Sequence, residues 1–167
     1  MAGTAARKVA RPGAADARAS TLAARWKLDG GVGFLIRLIE ARYDALYQEF
    51  TAQAEITPRQ FGVLLALYQN GPLTLTALAR AISADRSTLG EMIRRMSDRK
   101  LVLRTENDED ARSFTISIAA QGRKSLLAVV EGAARLQEEF LAPVPRAQRA
   151  EFIHNLQRVA RAAAAGE

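Results

Sequence analysis

The sequence predicts a mainly α-helical protein carrying one small β-hairpin. Three observations say so. Apolar residues recur at spacings of three and four through most of the chain after its first twenty positions. The period falls to two at only two places, Leu101–Arg104 and Ser113–Ile118. Between those two lies RTENDEDARSF, Arg104 to Phe114, whose acids Glu106, Asp108, Glu109 and Asp110 suit a polar loop tip.

At 167 residues the chain is long enough for one domain with a substantial core. Its 49% hydrophobic and 25% charged content fits a globular protein, and no apolar run approaches the roughly 18 residues of a membrane span. Cysteine is absent, which excludes disulfides, thiolate catalysis and zinc–cysteine sites and is compatible with a cytoplasmic location. The formal net charge of +6 suits an acidic partner such as nucleic acid as well as it suits a merely soluble basic protein.

Residues 1–21 are rich in alanine and arginine without apolar periodicity, and are expected to form a disordered tail. The tail is either a floppy leader or a basic arm touching DNA phosphates. Being rich in arginine and poor in acids, it also faintly resembles an organellar transit peptide, and it lacks the apolar core of a secretory signal. Residues 22–167 then form a single domain. A helix from Gly33 carries Leu35, Leu38, Ile39, Leu46 and Phe50, interrupted at Arg42 and Tyr43. Thr57-Pro58 starts a second helix with a capping hydroxyl and a proline at its first position. Its apolar face is Phe61, Leu64, Leu65 and Tyr68, and Asn70-Gly71-Pro72 stops it.

Two closely spaced helices follow. Thr74 caps the first, which runs through Ala77, Leu78 and Ala81, and Ser83-Ala84 turns the chain. The second spans about Asp85 to Arg99, with Leu89, Met92, Ile93 and Met96 inward and Arg86, Ser87, Thr88, Glu91, Arg94 and Arg95 outward. In the hairpin Leu101 and Leu103 form one face and alternate with Val102 and Arg104, while Phe114, Ile116 and Ile118 alternate with Ser113, Thr115 and Ser117. Gln121–Leu141 is helical again through Leu126, Val129, Val130, Ala133, Leu136 and Phe140. Pro143 and Pro145 break it, and a last helix from about Arg146 buries Phe152, Ile153, Leu156 and Val159.

Helix, turn, helix and hairpin make a winged helix-turn-helix, here residues 57–119. The second helix of such a pair enters the major groove, N-terminal residues toward the base edges. Thr74–Arg104 holds seven Lys/Arg against three acids, which favours phosphate attraction over an ordinary solvated face. The hairpin tip then projects toward the minor groove, a narrow electronegative slot that suits Arg112. Asp110 would hold that guanidinium in a two-pronged pair. A calcium site at the tip is the poorer reading, because the glycine and the spaced oxygens of a calcium loop are missing. His154, the single histidine, forms no triad or metal cluster and reads as structural; no metal, cofactor or enzymatic constellation is expected.

TPRQFGVLLAL, LTLTALARAISADRSTLGEMIRRMSDRKLVLR and NDEDARSFTISIAAQGR together resemble the MarR family of bacterial transcriptional regulators. The resemblance implies a homodimer built from helices in 28–56 and 120–167, a pseudo-palindromic operator, and a small effector between the dimerisation helices and the reading head. Three residues depart from the family. Lys100 stands where glycine usually ends the recognition helix; a left-handed lysine would cost about 1 kcal/mol, so a different closure is expected. Gly90 inside that helix would allow close approach of the backbone to DNA. Ala119 replaces a capping threonine.

Leu28–Tyr47 resembles the first helix of family members that regulate aromatic-acid breakdown, which respond to aromatic carboxylates or their coenzyme A thioesters. Arg42 matches an arginine there, and Tyr43 stands where histidine is common. Arg42, Tyr43, Phe61 and Trp26 could hold an aromatic acid; a dimer-interface salt bridge and core aromatics explain them equally well. The resulting expectation is a ligand-responsive regulator, in the sense of a repressor, that is neither an enzyme nor a membrane protein. A regulator of drug-efflux or stress genes answering to other phenolic compounds is the alternative. The wing argument predicts that Arg112→Ala weakens operator binding by roughly 1–3 kcal/mol, one good contact, with the thermal midpoint unmoved. Affinity measured at fixed salt checks it.

Overall fold

Short-range capping bonds from Thr57, Thr74 and Asp85 set the starts of three of the helices. The computed structural model describes residues 14–52, 55–107 and 110–164, the side chains of 14–15, 106–107, 110–113 and 163–164 excepted. The chain divides into two compact units, Met1–Ala41 and Arg42–Glu167, and the division falls inside a helix rather than at residue 22. In the first unit α1 spans Ala14–Arg25, a 3-10 turn covers Leu28–Gly30, and α2 (Val32–Phe50) begins. The expected tail is therefore helical from Ala14 on, where alanine's helix propensity dominates; residues 1–13 lie outside the described residues.

The second unit holds the rest of α2, then α3 (Pro58–Asn70), β1 (Leu73–Thr74), α4 (Leu75–Ala81), α5 (Arg86–Asp98), β2 (Val102–Asn107), β3 (Asp110–Ile118), α6 (Ala120–Leu141) and α7 (Arg149–Ala164). Thr57 caps α3 in a full capping box: its hydroxyl accepts from the Gln60 amide, and the Gln60 side chain accepts from the Thr57 amide. Thr74 accepts from the Ala77 amide to start α4. Ala119 supplies no side-chain cap to α6, as its methyl requires.

The sheet has three antiparallel strands in the order β1-β3-β2. The two-residue β1, too short to show a period, adds to the expected pair. The strand phase differs from the alternation read in the sequence. Val102 pairs with Ile118 and Arg104 with Ile116, so Val102 and Ile116 face the core and Leu103 faces out, 55% exposed. Leu101 is buried as the residue that closes α5, not as part of the strand alternation.

Two cores result. The larger gathers Leu64, Leu67, Leu78, Leu89, Ile93, Met96 and neighbours from α3 to α6. The smaller holds Leu46, Tyr47 and Leu136 with Tyr43, Phe50 and Phe140. Phe61 on α3 packs against both. The inward face expected of the last helix is only half-buried at Phe152 and Ile153, and exposed at Leu156 (42%) and Val159 (70%), in the isolated chain.

α4 and α5 end alike. After α4 the Ala84 amide bonds to Ala79 O and Ser83 N to Arg80 O, with Ser83 left-handed at φ 52°. After α5 the Leu101 amide bonds to Met96 O and Lys100 N to Ser97 O, with Lys100 at φ 57°. Both are Schellman closures without glycine. The helix thus closes in the ordinary way at Lys100, contrary to expectation; burial of Leu101 against the core offsets the left-handed cost. α6 then crosses close by. A Cβ added at Gly122 would stand 2.0 Å from the Leu101 carbonyl oxygen, and one at Gly132 would stand 2.1 Å from that of Phe50.

Lys100→Gly should therefore raise stability by a few tenths to about 1 kcal/mol, and Gly122→Ala should lower it by about 3 kcal/mol through overpacking. Urea denaturation of the two variants checks both signs.

Candidate nucleic-acid interface

The outer face of α5 follows from how its N-terminus is held. Asp85 adopts extended backbone, and its Oδ1 accepts from the Thr88 amide at 2.8 Å. That bond, helped by the Ser87 and Arg86 amides, holds the Asp85 carboxyl below its ordinary value. Leu89, Ile93 and Met96 anchor the opposite face in the core. Arg86, Ser87, Thr88, Glu91, Arg94 and Arg95 are consequently all exposed, as the sequence predicts.

Their charges are not equivalent. Arg94 lies 3.2 Å from Glu91 and 3.9 Å from Asp98 on its own helix, so its charge is largely answered locally. Among the described residues Arg86 and Arg95 meet no carboxylate within 4 Å, and they carry the helix's outward positive field. A Cβ on Gly90 would meet Leu75 of α4 at 3.8 Å, so this glycine faces the neighbouring helix and does not serve backbone approach to DNA.

The wing is β2–β3. Its backbone places Asp110 and Arg112 on β3, but their side chains, and the tip itself, lie outside the described residues, so the Asp110–Arg112 pair and the acidic tip are not tested. One cation counted in the sequence but not assigned to the interface there is defined: Arg104 stacks its guanidinium 4.3 Å above the Phe114 ring and stays exposed at the base of the wing. The signal for it was the cross-strand diagonal, legible only once the strand phase is known.

The residues expected to hold an effector are only partly gathered. Arg42 donates to the Glu139 carbonyl oxygen at 3.2 Å and lies 4.0 Å from its carboxylate, which makes an intrachain tie between α2 and α6. Tyr43 packs edge-on to Phe140 and tilted on Tyr47, and burial with nearby Asp44 raises its pKa. Tyr47 donates to Ile56 O at 3.0 Å. Trp26 belongs to the other compact unit and is 72% exposed. Among the cavities formed by the described residues, two lie on the second unit. One, about 430 Å³, lies beside the start of α5, among Pro58, Arg59, Ser83, Asp85, Thr88 and Met92. The other, about 560 Å³, lies among Phe50, Arg135, Glu138, Arg146 and Arg149. Arg42, Tyr43, Phe61 and Trp26 line neither. Among the described residues no His, Asp and Glu cluster could hold a metal, and no helix is long and apolar enough to cross a membrane.

This arrangement of helix pair, three-stranded sheet and two-stranded wing is that of winged-helix DNA-binding domains. The sequence matches the MarR family over residues 56–114. It is 32% identical over 101 residues to the transcriptional regulator HosA of Escherichia coli O111:H-, an alignment spanning 58% of this chain and 75% of that protein. The PcaV transcriptional regulator of Streptomyces coelicolor, solved with its natural ligand, superposes with a TM-score of 0.78 at 27% identity, over 83% of this chain and 97% of that one. The transcriptional repressor CouR, bound to a 23-mer DNA duplex, superposes with a TM-score of 0.72 at 25% identity, over 80% and 94%. The chain belongs to the MarR family of transcriptional regulators.

The lowered Asp85 pKa has a pH signature. A depressed carboxylate contributes stability above its unfolded pKa and loses it as pH falls through the folded one. Wild type should exceed Asp85→Ala in stability at pH 7, and the gap should close progressively on acidification below the ordinary carboxylate range. Thermal melts of both proteins between pH 7 and pH 2 check this.

Proposed function

We propose that the protein is a ligand-responsive repressor that binds a pseudo-palindromic operator as a homodimer and is released by a small aromatic carboxylate or its thioester. The observation that carries the DNA part is the outer face of α5: Arg86, Ser87 and Thr88 in its first turn and Arg95 in its last stand exposed on a helix capped at one end, closed at the other and anchored along its back. Ser87 and Thr88 reach base edges, Arg86 and Arg95 reach phosphates, and Arg112 enters the minor groove. Exposed apolar side chains support the dimer: Trp26, Val32, Leu35 and Ile36 in the first unit, Leu156 and Val159 in the second.

The effector's carboxylate would take Arg42 from Glu139, whose hold is long and exposed, while its ring lies against Tyr43. Displacement would disturb the α2–α6 tie and, through Phe61, the cluster that touches both cores. That a PcaV structure contains its natural ligand supports an effector, and the CouR complex supports duplex DNA as the partner. The ligand releases DNA only by preferring the non-binding arrangement, and a tenfold loss of DNA affinity takes about 1.4 kcal/mol of preference.

A gel shift on the DNA upstream of the protein's own coding region should show a complex that aromatic acids or thioesters dissolve and neutral phenols do not. Dissolution by neutral phenols alone would favour the drug-efflux or stress reading. Arg42→Ala should abolish ligand binding in calorimetry while leaving basal DNA binding nearly intact; equal ligand binding by the variant would make Arg42 structural.

A further inference from the structure

The corner where α6 gives way to α7 holds a cleft that neither the reading head nor the cluster around Tyr43 uses. Its volume, about 560 Å³, is within the range of small-molecule sites. Phe50 at the end of α2 and Ala134 and Ala142 on α6 give it apolar walls. Those walls are held together: Gly132 lets α6 come so near the Phe50 carbonyl that no Cβ fits between them. On the other side Arg149, the first residue of α7, braces the corner. Its Nε donates to Val144 O at 3.0 Å and its Nη1 to Glu138 at 3.1 Å, with the side chain only 21% exposed.

The charges on this cleft do not cancel. Both of its acids are answered, Glu138 by Arg149 and Glu139 by Arg42, whose guanidinium lies 4.0 Å away. Arg135 and Arg146 also line it, and among the described residues neither meets a carboxylate within 4 Å. For Arg135 this is informative. It stands three and four residues before Glu138 and Glu139, the spacings at which a helix pairs opposite charges, and it pairs with neither. Two unanswered guanidiniums thus border an apolar surface. A guanidinium presents a planar fork of N–H donors that matches phosphate oxygens.

We infer that this cleft is a second ligand site, which takes a small, doubly charged phosphate monoester with an apolar body. The phosphate meets Arg135 and Arg146, and the body lies on Phe50. The site is separate from the Arg42–Tyr43 site of the effector reading and touches it at one residue, Glu139. An effector that takes Arg42 from Glu139 leaves that carboxylate unanswered at the cleft, where it repels a dianion. The two ligands therefore oppose each other, by the same factor in either direction. This opposition rests on the effector reading above; the cleft itself does not.

The test is calorimetry on the whole chain in phosphate-free buffer, with phenyl phosphate as the probe. Methyl phenyl phosphate, which keeps the ring with a single charge, and inorganic phosphate serve as comparisons. Phenyl phosphate should bind once per chain, at least tenfold more tightly than either. Its affinity should fall as pH drops below about 6, where a phosphate monoester regains its second proton. Arg135→Gln with Arg146→Gln should weaken it at least tenfold, and Arg135→Lys with Arg146→Lys should weaken it less, since the charge stays and only the fork is lost. Both positions are exposed, so both variants should keep the wild-type circular dichroism. Arg42→Ala, which frees Glu139, should weaken the probe several-fold. No binding at millimolar probe, or equal binding by wild type and the glutamine variant, would overturn the site. So would inorganic phosphate binding as tightly as phenyl phosphate, or a glutamine variant whose oligomeric state changes in sedimentation, which would make the cleft an interface with a second copy. Unchanged binding by Arg42→Ala would overturn the opposition alone. Operator DNA takes no part in the measurement, so a failed site leaves the regulator reading standing, and a failed gel shift leaves the site standing.

Discussion

Three functional elements meet at one residue, Leu101. Its amide closes α5 on the Met96 carbonyl at 2.9 Å; its carbonyl accepts from the Ala119 amide at 3.1 Å at the entry to α6; its side chain is buried, and β2 starts at the next residue. Gly122 brings α6 so near that same carbonyl that no side chain fits between them. The direction of the reading helix, the root of the wing and the start of the long helix are therefore mutually fixed. Lys100 is held left-handed because the alternative would pull Leu101 out of the core, and a buried leucine is worth about 1.5–3 kcal/mol against a backbone cost of about 1.

A rigid reading head is useful to a regulator only if something can move it. Phe61 is the one side chain of α3 that packs into both cores. The smaller core carries Tyr43, Tyr47 and Leu136, and the larger carries the inner face of α5. The Tyr47 hydroxyl on Ile56 O and the Arg99 guanidinium on Glu55 O at 2.6 Å fasten the segment before α3 to α2 and to the C-terminal end of α5. A change around Tyr43 therefore has a packed physical route toward α5.

The parts of the fold legible in the sequence were those set by neighbours in the chain. Thr57, Thr74 and Asp85 cap their helices because a capping bond spans only three residues. The exposed face of α5 was legible for the same reason, since the 3.6-residue period that buries Leu89, Ile93 and Met96 also determines what points outward. Non-local causes stayed hidden. The left-handed Lys100 depends on a core that is assembled elsewhere in the chain. The phase of β2 is hidden because Leu101 is buried by helix closure, which mimics alternation with Leu103. Gly122 and Gly132 look like ordinary weak points in a helix until α6 is laid against two carbonyl groups. The Glu91–Arg94–Asp98 pairing, by contrast, could have been read directly from its spacings of three and four. Trp26 was grouped with Arg42 by its chemistry alone, and it lies across the division of the chain.

The central claim is that α5 reads base edges in the major groove from its first two turns. Guanine N7 is exposed in that groove alone, so methylation protection on the protein's own upstream DNA tests the claim most directly. The account predicts two clusters of protected guanines about one helical turn apart, and loss of protection at specific guanines when Ser87 and Thr88 are both replaced by alanine. Protection that is absent from the major groove, or that survives unchanged in that double variant, would contradict it.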